Sequence, residues 1–179
     1  MAAKWAIKTV IGLVLLGLCL FLPAGRWDWP AAWGLIAISA ANQVLVYILV
    51  SRAHPDLLEE RGRMQAGTKS WDRTLAPLMA YAGVYICIVC GLDARFGWSG
   101  AFPGWLQWAA VLPVLAGVGL GVWAMVVNRF FAATVRIQNE RGHRVVQDGP
   151  YRFIRHPGYS AAVLFDLFIP LMLGSWWGL

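Results

Sequence analysis

The chain has 179 residues, 59% of them apolar and 13% charged, with a formal net charge of +6. Soluble domains run at roughly 45–50% apolar and about 25% charged, so the composition excludes an ordinary soluble globule and describes a membrane protein. At about 20 apolar residues per crossing the length allows an all-α polytopic bundle of about five spans, one domain over residues 1–179, and the basic residues fall in short loops between apolar runs, where they serve lipid headgroups and topology and not nucleic acid.

The first apolar run, about residues 7–23, follows Lys4 and Lys8 as a signal peptide would. Its end, Leu22-Pro23-Ala24-Gly25, is a poor cleavage site, so the run is expected to stay as a mature span. A turn carrying Trp27 and Trp29, rings suited to the headgroup level, leads to a second span at about 31–50. The stretch 51–73 is too charged to insert. Within it Pro55 to Arg63 has proline first, acids in the first turn, arginines towards the end, and Glu59 and Arg63 at i, i+4, which predicts a short helix. That helix is either a solvated or interfacial connector or a lid or lateral wall for a site on its face.

The third span, about 75–92, contains Cys87 and Cys90. Inside an apolar run they read as small packing side chains more than as a metal or redox pair, and with Cys19 in another span no disulfide framework is expected. A loop with Trp98, Trp105 and Trp108 precedes the fourth span, about 109–127. There Gly117, Gly119 and Gly121 have no strand before them, and Gly117 with Gly121 predicts a close helix-packing face, not a nucleotide motif. The polar segment 128–159 then overlaps the start of a fifth span, about 158–177. No internal repeat, linker or low-complexity tract interrupts this order.

Charge sets the expected orientation. With a cytoplasmic N-terminus, thirteen of the 15 lysines and arginines lie inside, and only Arg26 and Arg95 lie outside. The positive-inside rule therefore predicts an inner-membrane, multi-pass protein whose two long polar segments face the cytoplasm.

The run Gly149-Pro150-Tyr151-Arg152-Phe153-Ile154-Arg155-His156-Pro157-Gly158-Tyr159 holds the densest chemistry. Gly149-Pro150 predicts a turn, and Pro157 suits the first turn of a helix. A helix start carries unpaired N–H groups and the positive end of the dipole. Arg155 and His156 add to this, so the elbow is expected to hold an anion. No nucleophile with a partnered base is visible, and His54, His143 and His156 do not form a metal set. Basic residues obeying the charge rule, tyrosines at the interface and a helix-opening proline would account for the same elbow without any activity.

The pattern Gly-Pro-Tyr-x-x-x-Arg-His-Pro-x-Tyr before an apolar helix resembles the signature of the membrane isoprenylcysteine carboxyl methyltransferases and their phospholipid methyltransferase relatives. Gln138-Asn139-Glu140, and His143 with Val145 and Val146, resemble that family's upstream strip. Pro55 to Arg61 and Trp71-Asp72-Arg73 resemble its bacterial members. The likeness is strong from about Asn128 to Leu173 and looser before that. The Arg-His-Pro-x-Tyr part also occurs in membrane sterol reductases.

The resemblance implies S-adenosylmethionine as cofactor, touched by Gln138, His143, Arg144, Val145, Val146, Gly149, Tyr151, His156, Pro157, Gly158 and Tyr159. Arg155 and His156 would serve at the reacting end. The acceptor would be lipophilic and membrane-embedded, more readily a carboxylate, already ionised, than an amine, which must first lose a proton. Family members continue into a helix with an arginine and a pair of glutamates, so a chain ending at Leu179 is expected to be a truncated copy. Asp166, roughly 13 Å along the last helix from Pro157, is expected to face a polar partner in the bundle or the acceptor's pocket, because lipid exposure would cost about 3 kcal/mol. A phospholipid N-methyltransferase, an NADPH-dependent membrane reductase and an inactive scaffold remain alternatives. Oligomeric state is left open.

Overall fold

The computed structural model describes residues 2–60, 69–132, 138 and 141–179. Among them the chain is all helical, in the order α1 (Ala2–Ala24), α2 (Pro30–Ala53), α3 (Pro55–Glu60), α4 (Ser70–Phe96), α5 (Gly104–Val127), a 3-10 turn (Gly149–Arg152) and α6 (Pro157–Leu173). Proline stands first in α2, α3 and α6, where its missing N–H costs nothing and its fixed φ suits the helix. Among the described residues α1, α2 and α5 are long and apolar enough to cross a membrane. The apolar α6 is shorter at 17 residues, about 26 Å at 1.5 Å per residue. It stops before the expected 177 because Gly174 takes a left-handed φ of 81° as its C-cap. The chain is a helical membrane bundle.

The helices alternate in direction. Gly91 of α4 packs on Leu20, Pro23 and Ala24 of α1, and Gly174 after α6 lies against Gln107 at the start of α5. One end therefore gathers the α1–α2 turn, the α4–α5 loop and the tail after α6. Arg95 reaches Gly25 at this end, so the two basic residues assigned to one side, Arg26 and Arg95, share it. The other end gathers α3 and the described residues between Asn128 and His156.

Each end has its own apolar cluster. Leu20, Leu35, Cys90, Val114, Ile169 and Leu173 belong to the first, and Val46, Val50, Leu57, Leu58, Val122 and Met125 form the second. Cys87 and Cys90 are buried in the first cluster as packing side chains. Trp29, expected at headgroup level, is instead buried in that cluster, while Trp27 stays exposed. The difference arises because Trp29 sits directly before α2 and turns inward with it. Trp27 caps Phe21 from outside at a ring distance of 4.9 Å.

The helix expected over Pro55–Arg63 is present as Pro55–Glu60, and the Glu59–Arg63 pair lies outside the described residues. Leu57 and Leu58 are buried against Val46 and Val50 of α2 and Val122 and Met125 of α5. The helix is therefore anchored to the bundle, not merely solvated.

Candidate functional site

The elbow expected at Gly149–Tyr159 is built from an inner and an outer layer. Pro150 and Pro157 are fully buried. Gly149 takes a φ of 57°, and a Cβ there would lie 2.8 Å from Val127 and 3.1 Å from the indole nitrogen of Trp123, so only glycine fits both the backbone and the space. At Gly158 a Cβ would meet the Phe131 ring at 2.7 Å. These two glycines thus serve contact with α5 and with Phe131. The outer layer, Arg152, Phe153, Ile154, Arg155, His156 and Tyr159, is exposed.

Tyr151 lies between the layers, half-buried. Asn128, the C-cap residue of α5, donates from Nδ2 to the Tyr151 hydroxyl at 2.9 Å and accepts at Oδ1 from the Phe130 N–H at 2.9 Å. Burial raises the Tyr151 phenol above its ordinary value, and the Asn128 hydrogen bond only partly offsets this. The phenol is therefore neutral at physiological pH. Asn128 was missed by motif reasoning; its place directly after the α5 apolar run was the available signal.

Gln138 and His143 come together. Gln138 is fully buried: its Nε2 donates to the Phe130 carbonyl at 2.8 Å, its Oε1 accepts from Arg141, and its backbone N–H donates to His143 Nδ1 at 3.1 Å. With Nδ1 accepting, a neutral His143 carries its proton on Nε2. The imidazole stacks on Phe130 at 4.8 Å and 15°. In this arrangement Gln138 braces the strip while the exposed His143, Arg144 and Val145 and the half-buried Val146 form its outer surface. Asn139 and Glu140 lie outside the described residues.

Arg141 continues the network. Its Nη2 donates to Asp56 of α3 at 2.6 Å and to the Arg129 carbonyl at 2.8 Å, and Arg129 reaches the same Asp56 oxygen at 3.3 Å. Partial burial pushes the Asp56 carboxyl up, but hydrogen bonds and charge from Arg141, with a further bond from Arg129, outweigh it and hold the group below its usual range. Folded-state depression means the pairing is in place above the ordinary aspartate range and lost only as pH falls through the lowered value. It is therefore constant around neutral pH.

His156 caps α6 through its backbone, its carbonyl accepting from the N–H groups of Tyr159 and Ser160 at 3.1 and 3.2 Å, and its ring lies 5.7 Å from that of Tyr159. From Arg141 to Ser160 the side chains carry four arginines and two histidines against one carboxylate, Asp148, which is exposed. The surface is suited to an anion flanked by aromatic rings. Asp166, by contrast, is half-buried on α6. Among the described residues no group of histidine, cysteine and acidic side chains could hold a metal ion.

On the bilayer side of the elbow an apolar groove of about 370 Å³ runs between α2 and α5, lined by Leu45, Leu49, Val118, Gly119, Val122 and Trp123 among others. Leu45, Leu49 and Trp123 are exposed along it, so it opens sideways. Trp123, with Val127, also abuts Gly149.

No curated protein and no solved structure matches the chain. The model of the isoprenylcysteine carboxyl methyltransferase family matches residues 109–179, which takes in most of α5, the elbow and α6. This matched stretch carries both the sequence pattern and the cationic elbow, and over it the chain is similar to the isoprenylcysteine carboxyl methyltransferase family.

Proposed function

We propose that the protein transfers a methyl group from S-adenosylmethionine to a carboxylate on a lipophilic, membrane-embedded acceptor such as an isoprenylcysteine, at the cytoplasmic face of the inner membrane. Trp123 carries this reading: it lines the lateral apolar groove and packs on the elbow, so an apolar tail in the groove and a polar head at the elbow would be neighbours.

The residues present fit the cofactor at the elbow. Arg155, His156 and the start of α6 offer positive charge to the methionine carboxylate, and the Tyr151 ring, fixed through Asn128, offers a face to the adenosine. When bound, S-adenosylmethionine supplies an electrophilic methyl group on sulfur. The protein's part is alignment, since in-line displacement gains chiefly from holding the reacting atoms in register. An ionised carboxylate needs no base and is drawn to the arginines. An amine would be repelled by them, and from Arg141 to Ser160 it would find only exposed Asp148 to take its proton.

Titration of the detergent-solubilised protein with S-adenosylhomocysteine is expected to give saturable binding, with NADPH giving none. Arg155→Ala should weaken that binding by about 2 kcal/mol, roughly thirtyfold, the loss of one charged hydrogen bond. Binding of NADPH in place of S-adenosylhomocysteine would overturn the proposal in favour of a reductase.

A further inference from the structure

The connector helix α3 and the strip at Gln138–His143 are far apart in sequence yet joined by one carboxylate. Asp56 accepts from Arg141 at 2.6 Å and from Arg129 at 3.3 Å. Arg141 in turn donates to the Gln138 side chain, which is fully buried and holds the Phe130 carbonyl, while the Gln138 N–H holds His143 Nδ1. The Arg141 side chain is only 13% exposed, and both it and Arg129 lie over the Phe130 ring, at 5.9 and 5.7 Å. On its other side α3 is rooted by Leu57 and Leu58 among Val46, Val50, Val122 and Met125. Val122 also lines the lateral groove.

From this geometry we infer that Asp56 and Arg141 are positioning residues for the methyl-donor site: Asp56 holds Arg141, and Arg141 holds Gln138 and, through it, the His143 ring in the place the donor needs. The inference rests on the methyltransferase reading. It adds that α3 is a wall of the donor site, its inner side shared with the floor of the acceptor groove. Neither residue touches the reacting atoms, so each acts on donor affinity and not on the chemical step. The pairing is partly solvent-screened at Asp56, whose side chain is 45% exposed, so the charge contributes modestly and Arg141 contributes more through its buried contacts.

The test uses the full chain in nanodiscs, with S-adenosylhomocysteine as the probe. Asp56→Asn should weaken its binding about fivefold, and Arg141→Ala about tenfold. Because the first acts through the second, the double variant should bind no worse than Arg141→Ala alone. Asp56→Glu should restore the affinity, KM for the methyl donor should rise while kcat at saturation stays, and the unfolding midpoint of Asp56→Asn should match the wild type. Additive losses in the double variant, or a fall in kcat at unchanged KM, would overturn the assignment.

Hydrogen exchange without ligand separates this inference from the reading beneath it. Asp56→Asn should speed amide exchange in the peptide spanning residues 138–148 several-fold while α2 is unchanged. Wild-type protein that fails to bind the probe would sink the methyltransferase reading. Exchange that does not respond to Asp56→Asn would sink the positioning role, whatever the wild type binds.

Discussion

Gly117→Val should detach α6 from α5 and lower the stability of the bundle by about 3 kcal/mol, at the upper end of the cost of overpacking a tight interior. A Cβ at Gly117 would lie 2.9 Å from the Ala161 carbonyl oxygen, 3.1 Å from the Phe165 nitrogen and 3.2 Å from the Leu164 Cβ. Two of these atoms are backbone, so no rotamer change relieves the overlap and the helices must part. In a bilayer this is especially costly, because lipid tails replace a lost apolar contact without penalty and the seam survives on close packing alone. Gly119→Val is the matched control: nothing lies within 4 Å of a Cβ there. Its stability should be unchanged, while its place in the lateral groove makes it a candidate to reduce acceptor use. Unfolding in a denaturing-detergent titration, followed by far-UV circular dichroism, reads both. A Gly117→Val protein as resistant as the wild type would show that the seam does not depend on that approach.

The same residue illustrates how far the sequence could be read. Local chemistry was legible: Pro157 opens α6, Gly117 faces a partner helix, and the Gly149–Tyr159 run forms an elbow at one end of the bundle. Gly121 shared the packing pattern, but its Cβ would only reach that of Ala161 at 3.5 Å, an ordinary contact, so spacing alone overstated it. Long-range pairings were not legible. Nothing in the residues around Asp56 announces Arg141, and nothing around Gln138 tells whether its amide faces a ligand or, as found, the Phe130 carbonyl. Such choices are set by how α2, α3 and α5 pack, and packing carries no short-range signature. The inward turn of Trp29 has the same origin, since its ring suits either environment until α2 fixes its direction.

Asp93→Ala should also cost about 3 kcal/mol, because it leaves one buried and two part-buried donors without their acceptor. Asp93 lies within the last turn of α4 and is 3% exposed. Its carboxylate accepts from the Ser99 N–H at 2.7 Å, from the Ser99 hydroxyl and from the Ser175 hydroxyl. Ser99 Oγ in turn accepts from the Trp176 N–H at 2.8 Å, and Ser175 Oγ accepts from the Gly178 N–H at 3.1 Å. One carboxylate thereby ties the end of α4, the loop after it and the tail after α6. Asp93→Asn keeps an acceptor for the Ser99 N–H and lets the hydroxyls rotate, so its loss should be about half as large. Thermal unfolding in detergent measures both; equal midpoints for wild type and Asp93→Ala would mean that the knot adds no stability. The consequence extends to the opposite end of the bundle. The helix clamped there by its tail is the one that begins at Pro157, and clamping it fixes the height at which His156 and Tyr159 meet the elbow. Loosening Asp93 should therefore weaken S-adenosylhomocysteine binding from a full helix length away, and Asp93→Asn should weaken it less than Asp93→Ala.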